Sequence, residues 1–235
     1  MSRVVPRHEN ITNEHIRVTF SDSTDEEPVI HVVHREAFML SPVLRENLPP
    51  PSPNVTQPTE IALPESTQEH PGIRLLLEIL DDLAGHFDAG AVLDDMLAKV
   101  EPGIIESALV MADKYAVTTL FKQYCHLWCC QWRRTELDRI QVALCLWDPV
   151  IARNVMRICE GNDTYHPGVW QTEHIKFIGF RHWQTLVNIV VDCQISHPTV
   201  DNSFIHWPSI VEKFPWNKPG YWSEGPNRRD VLYDP

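Results

Sequence analysis

The sequence is short of glycine, with 9 in 235 residues, and few of them cluster. It holds no phosphate-cradling glycine loop and no dinucleotide-binding fingerprint. G-x-S-x-G and H-E-x-x-H are missing too, so no motif for nucleophilic or zinc-assisted hydrolysis is present. The expectation is a chain that is not an enzyme and carries no cofactor. Basic residues are scarce: Lys and Arg total 20 against 32 Asp and Glu, a formal charge of −12. Such a balance argues against nucleic acid as a partner, because neutralising phosphates takes Lys and Arg. It argues equally against docking on anionic lipid. No run reaches about 18 consecutive apolar residues, the least that spans a bilayer as a helix. The longest near the C-terminus, Leu186-VNIVVDC, is broken by Asn188 and Asp192. Met1-SRVVPRHEN lacks the apolar segment of a signal peptide. Arg133-Arg134 and Arg228-Arg229 are too short for a nuclear import signal. An intracellular location is expected, in the cytoplasm, the nucleus or both. The six Cys then read as free, buried thiols, and the sequons at Asn10, Asn54 and Asn162 as chance matches.

The sequence does hold enough apolar residues, 43%, for a real core. Its length suits one large domain or two small ones. The acidity is uneven: residues 1–130 carry a net charge of −11 and residues 131–235 carry −1. Eight of the 19 prolines fall between Pro42 and Pro71, and six lie from Pro198 onward. Proline lacks a backbone donor and fixes φ, so both stretches resist regular structure. Residues 48–60, Leu48-PPPSPNVTQPTE, read as a surface loop. The tail from His197 reads as extended, with aromatic anchors.

Two β-branched runs, Ile16-RVTF and Val29-IHVV, flank a polar turn and suggest paired strands. Glu36-AFMLSPVLREN reads as helix interrupted at Ser41-Pro42, with Ser41 as the cap of a new helix and Pro42 in its first turn. Glu60-IALPE reads as a third strand. Gly72-IRLLLEILDDLAG places Ile73, Leu76, Leu77 and Leu80 on one face and Arg74, Glu78 and Asp81 on the other. Pro102-GIIESALVMADKY is amphipathic. Thr118 and Thr135 are capping candidates for the next two helices, and Asp148-Pro149 starts a third. One long helix is expected from Thr172 to about Cys193.

Cys125 and Cys129 are i,i+4 on an expected helix, with His126 adjacent, and such a pair can begin a metal site. No matching pair follows, and Cys193, His197 and His206 are spaced more loosely, so core cysteines are the preferred reading and no metal is expected. The adjacent pairs Asp81-Asp82 and Asp94-Asp95 read as solvated surface, since neighbours in sequence do not share a helix face. The eight Trp read mainly as staples that fix loops to a core. Those in the tail are also candidates for a partner surface.

Val32-VHREAFMLSPVLREN resembles the signature of BTB/POZ domains, through Val33, His34, Arg35, Phe38, Leu40, Ser41, Val43 and Leu44. Ala108-LVMADKYAVTTL resembles a second motif of that family, Leu-x-x-Ala-Asp-Lys-Tyr, through Leu109, Ala112, Asp113, Lys114 and Tyr115. Ile61-ALPES and Ile73-RLLLEIL lie between them in the family's order. The proline loop resembles the large fungal set of such proteins, a BTB domain followed by a short helical region. The resemblance covers residues of about 16–132. Many relatives carry an Asp on the first strand that meets the motif Arg. Here Ile16 or Arg17 stands in its place, which leaves Arg35 without that partner.

The resemblance implies an α+β architecture: a helical cluster flanked by a short three-stranded sheet, then a mainly helical C-terminal region and an irregular tail. The expected organisation is an arm over 1–14, the BTB-like domain over 15–132, a helical extension over 133–196 and a tail over 197–235. His34, Arg35, Ser41, Ala112, Asp113, Lys114 and Tyr115 are expected to act mainly by holding the fold. Val18, Phe20, Phe38, Leu40, Val43 and Leu44 are the candidates for self-association, with a plain core role at least equally expected. The implied function is protein–protein interaction, with a second copy or another protein as partner. The alternative is a substrate adaptor on a cullin-type ubiquitin-ligase scaffold. A remote third is an enzyme of unrecognised type. The stretch 81–101 is expected to be an insertion.

Overall fold

The computed structural model describes residues 11–23, 30–50, 57–86, 104–130, 135–158, 166–178, 180–196, 207–214 and 216. The chain is mixed α+β and mostly helical, and it divides into two compact units, Met1–Trp128 and Cys129–Pro235.

In the first unit β1 (His15–Thr19) pairs antiparallel with β2 (Ile30–His34), from His15 opposite His34 to Thr19 opposite Ile30. β3 (Thr59–Ala62) pairs parallel on the other side of β1, with Ile16 opposite Thr59. The sheet order is therefore β2-β1-β3. Ile16, Val18 and Phe20 alternate inward along β1 and are buried. Asp22, just past the strand, fastens it: its Oδ2 accepts from Thr67 N at 3.0 Å, Thr67 Oγ1 at 2.6 Å and Gln68 N at 3.2 Å.

The helical expectation breaks where proline said it would. α1 (Arg35–Met39) stops, and α2 (Pro42–Glu46) restarts with Ser41 as its cap and proline in its first turn. α3 (Gly72–Asp81) follows β3, and α4 (Ile104–Lys114) and α5 (Thr118–Cys129) complete the described part of this unit. α3 and α4 pack against each other. Gly72 is where they meet. A Cβ built there lies 2.0 Å from Ala108 N and 2.4 Å from Ser107 C, both backbone atoms. The Gly72 N–H donates to Ser107 Oγ at 3.0 Å.

Two expectations need correction here. On α3 Arg74 and Glu78 of the polar face are partly exposed, but Asp81 on that face is buried, along with Ile73, Leu75, Leu76, Leu77, Ile79 and Leu80. Asp82 is buried as well, accepting from Tyr124 OH at 2.5 Å. The Asp81-Asp82 pair is thus an internal feature, with its charge directed at partners on other elements. Asp94-Asp95 and most of the 81–101 stretch lie outside the described residues, as do residues 51–56 of the proline loop.

The second unit is helical in its described residues. Thr135 caps α6 (Glu136–Cys145), accepting from Asp138 N at 3.1 Å and donating to Asp138 Oδ2 at 2.6 Å. Asp148 caps α7 (Pro149–Ile158) through Val150 N at 3.0 Å and Ile151 N at 3.2 Å. The expected single helix from Thr172 is two, α8 (Thr172–Ile178) and α9 (Phe180–Ser196). The tail is not wholly irregular, since α10 (Trp207–Lys213) lies in it and packs on α7. Two prolines flank the middle of that helix without entering it: Pro208 sits in its first turn, where a missing donor costs little, and Pro215 lies beyond its end. Trp147, Phe214 and Trp216 pack ring to ring, with centroids 4.7 to 6.2 Å apart. Trp128, Trp170 and Trp207 are buried. These tryptophans are staples of the core.

Replacing Gly72 with Ala forces backbone to move at the α3–α4 crossing. Urea unfolding of Gly72→Ala is expected to show a loss of about 3 kcal/mol, the upper part of the range for overpacking.

Candidate interaction site

The motif residues gather around the α1–α2 break. Ser41 is fully buried. Its Oγ accepts from Leu44 N at 3.1 Å, which caps α2, and donates to the carbonyl of Tyr115 at 2.7 Å. That carbonyl belongs to the last turn of α4, where helix geometry leaves carbonyls without partners. One hydroxyl therefore starts one helix and finishes another.

α4 ends in a left-handed residue. Ala116 has φ of 56°. Its N–H donates to Asp113 O at 3.0 Å, and Val117 N donates to Ala112 O at 2.8 Å. This is the double bond pattern that usually recruits glycine. An L-residue in that conformation is strained by about 1–2 kcal/mol. Ala112 is buried beneath the turn, while Asp113 faces solvent.

Lys114 pairs with Glu65, whose carboxylate is almost wholly buried while the lysine is half exposed. Burial alone raises a carboxyl pKa. For Glu65 the Lys114 ammonium and the nearby Tyr115 hydroxyl outweigh it, and the net shift is downward. Its contribution is present above the ordinary carboxyl range and is lost as pH falls through the lowered pKa. The Tyr115 hydroxyl is directed at the Glu65 carboxylate. Burial first, then hydrogen bonding to Glu65 and the Glu65 charge, push its pKa well above ordinary.

His34 and Arg35 stand at the β2–α1 junction. Asp81 Oδ1 accepts from His34 N at 2.7 Å and lies 3.2 Å from His34 Nδ1. A carboxylate can only accept, so His34 Nδ1 carries the proton. His15, the cross-strand neighbour, stacks on His34 at 4.5 Å between centroids. Arg35, lacking a carboxylate on β1, donates instead to the carbonyl of Pro49. It thus holds the near end of the proline loop.

The six apolar candidates separate. Val18, Phe20, Phe38 and Leu44 are core residues. Leu40 is half-buried. Val43 is 37% exposed, and its neighbour Met39, which the sequence reading did not single out, is 51% exposed. Met39 and Val43 lie on either side of the α1–α2 break, among the exposed charged residues Glu36, Arg45 and Glu46. Of the cysteines weighed as ligands, Cys125 and Cys129 are fully buried. Burial pushes the Cys125 thiol up, which suppresses the thiolate that metals bind. His197 and His206 lie outside the described residues. Among the described residues no three His, Cys, Asp or Glu side chains converge as a metal requires, and no helix is long and apolar enough to cross a membrane.

The chain matches no family model, no curated protein and no solved structure.

Ser41→Ala removes a cap and strands a buried carbonyl. A loss of about 2–3 kcal/mol is expected in chemical denaturation. Ala116→Gly should act in the opposite direction, raising stability by about 0.5–1 kcal/mol after the entropy of the unfolded glycine is deducted.

Proposed function

We propose that the chain is a protein–protein interaction module of BTB/POZ type, working through self-association or capture of another protein by its first unit. The hydrogen bond from Ser41 Oγ to the Tyr115 carbonyl carries this reading. It joins the two motifs on which the resemblance rests, although they are far apart in sequence. The exposed Met39 and Val43 beside it supply the kind of apolar area from which an interface is built. The helical second unit stands where adaptors of cullin-type ligases carry a helical extension. The adaptor role is the second reading on that ground.

Sedimentation of the full chain at micromolar concentration tests the first reading. A dimer is expected, reverting to monomer in the double variant Met39→Glu, Val43→Glu with unchanged circular dichroism. A well-folded wild-type monomer at all concentrations removes self-association. If that monomer binds the N-terminal region of a cullin, the adaptor reading takes its place.

A further inference from the structure

The first unit contains a histidine pair that its scaffolding role does not exhaust. His15 is buried at the start of β1. The backbone N–H of Thr12 donates to His15 Nδ1 at 3.0 Å, and Thr12 Oγ1 lies 3.1 Å from the same nitrogen. A backbone N–H is always a donor, so His15 Nδ1 must present a lone pair. His15 is therefore in the neutral form, with its hydrogen on Nε2. His34, stacked upon it, carries its hydrogen on Nδ1, directed at Asp81. The two rings hold opposite tautomers, each fixed by a different neighbour.

A third proton disturbs this arrangement. It does so only at His15: His34 Nε2 also presents a lone pair and takes a proton without losing the Asp81 bond, whereas at His15 Nδ1 a proton sets N–H against the Thr12 N–H. It also places positive charge against the His34 ring, 4.5 Å away. The charged groups acting on His15 are His34 from β2, Asp81 from the end of α3, and Glu14 beside it on the chain. Asp81, a hydrogen bond with the Thr12 backbone and Glu14 favour the proton, in that order. Burial and His34 oppose it and prevail, so the His15 pKa lies below the ordinary histidine value.

We propose that His15 is a proton-sensitive latch: neutral, it clips the 12–15 turn to β1 and seats the β2–α1 junction; protonated, it releases that end of the sheet. The consequence reaches α1 because Arg35 N donates to Glu14 O at 2.7 Å, which ties the helix start to the same turn. The sign is fixed by linkage. The unfolded chain takes up this proton near pH 6.5, whereas the folded chain resists it, so stability at this end is full above that pH and declines below it. The latch does not depend on what partner the module binds.

Hydrogen exchange of the full chain, read by mass spectrometry and corrected for the intrinsic pH dependence of exchange, tests it at about pH 7.5 and about pH 5.5. Protection in peptides covering 11–23 and 30–40 is expected to fall at the lower pH, with the α6 peptide as an unchanged reference. His15→Asn places an amide oxygen near the Nδ1 position and takes no proton there. Its protection over 11–23 is expected to be independent of pH across this range. Equal protection in the wild type at both pH values overturns the latch. So does a fall that His15→Asn shares. If the variant does not fold, nitrogen-15 spectra of the wild-type imidazoles decide. His15 Nδ1 must gain its proton over the same interval in which the 11–23 amides lose protection, and a proton gained with protection intact ends the proposal.

Discussion

α3 is buried on nearly every side, and the first unit is arranged around that constraint. A surface helix can end in water, where its unpaired groups are solvated. A helix with Ile73, Leu75, Leu76, Leu77, Ile79 and Leu80 all inside has no such freedom. Its first residue must pass within contact distance of the α4 backbone, which only glycine allows. Its last residue, Asp81, must take its carboxylate to a donor already present inside, and finds the His34 amide and ring. The strand–helix junction, the sheet and α4 are thereby referred to one element.

The same constraint revises the meaning of the acidity. Net charge concentrates in residues 1–130. Asp81, Asp82, Glu65 and Glu106 are buried, however. Asp81, Asp82 and Glu65 are bound to named donors: the His34 amide, the Tyr124 hydroxyl and the Lys114 ammonium. A buried carboxylate with a donor contributes order at that point, and stranding it costs several kcal/mol. Part of the excess negative charge is thus structural, and only the remainder, such as Glu46 and Glu60, is exposed.

What the sequence disclosed follows from how local each cause is. Ser41-Pro42, Thr135 and Asp148-Pro149 act within one helical turn, and each starts a helix as its chemistry requires. The β1–β2 pairing follows from two β-branched runs. The burial of Asp81 was not legible, because periodicity records only which residues share a face. It does not record whether the second face is also covered. The helix at Trp207 was missed for a related reason: the ring that packs at its end, Trp147 against Phe214, is distant in sequence. At the candidate site the motif residues were legible as a set. Their individual tasks were not, above all that of Ser41, whose second partner lies on another helix.

The division among the apolar candidates bears on where recognition can reside. Val18, Phe20, Phe38 and Leu44 are engaged inside the unit, and Ser41, Lys114 and Tyr115 are engaged in closing helices and pairing a buried carboxylate. Residues so used are common to any chain that folds this way, and they carry little information about a partner. Under the proposed reading, discrimination would fall to side chains that the fold does not require. At the α1–α2 corner these are Met39 and Val43. Methionine is flexible and polarizable, and suits surfaces that adapt to more than one shape. Val43 is stiff at χ1 and offers a fixed contour. One adaptable and one rigid apolar residue, set on either side of a helix break whose geometry Ser41 fixes, are the side chains on which the proposed interface would rest.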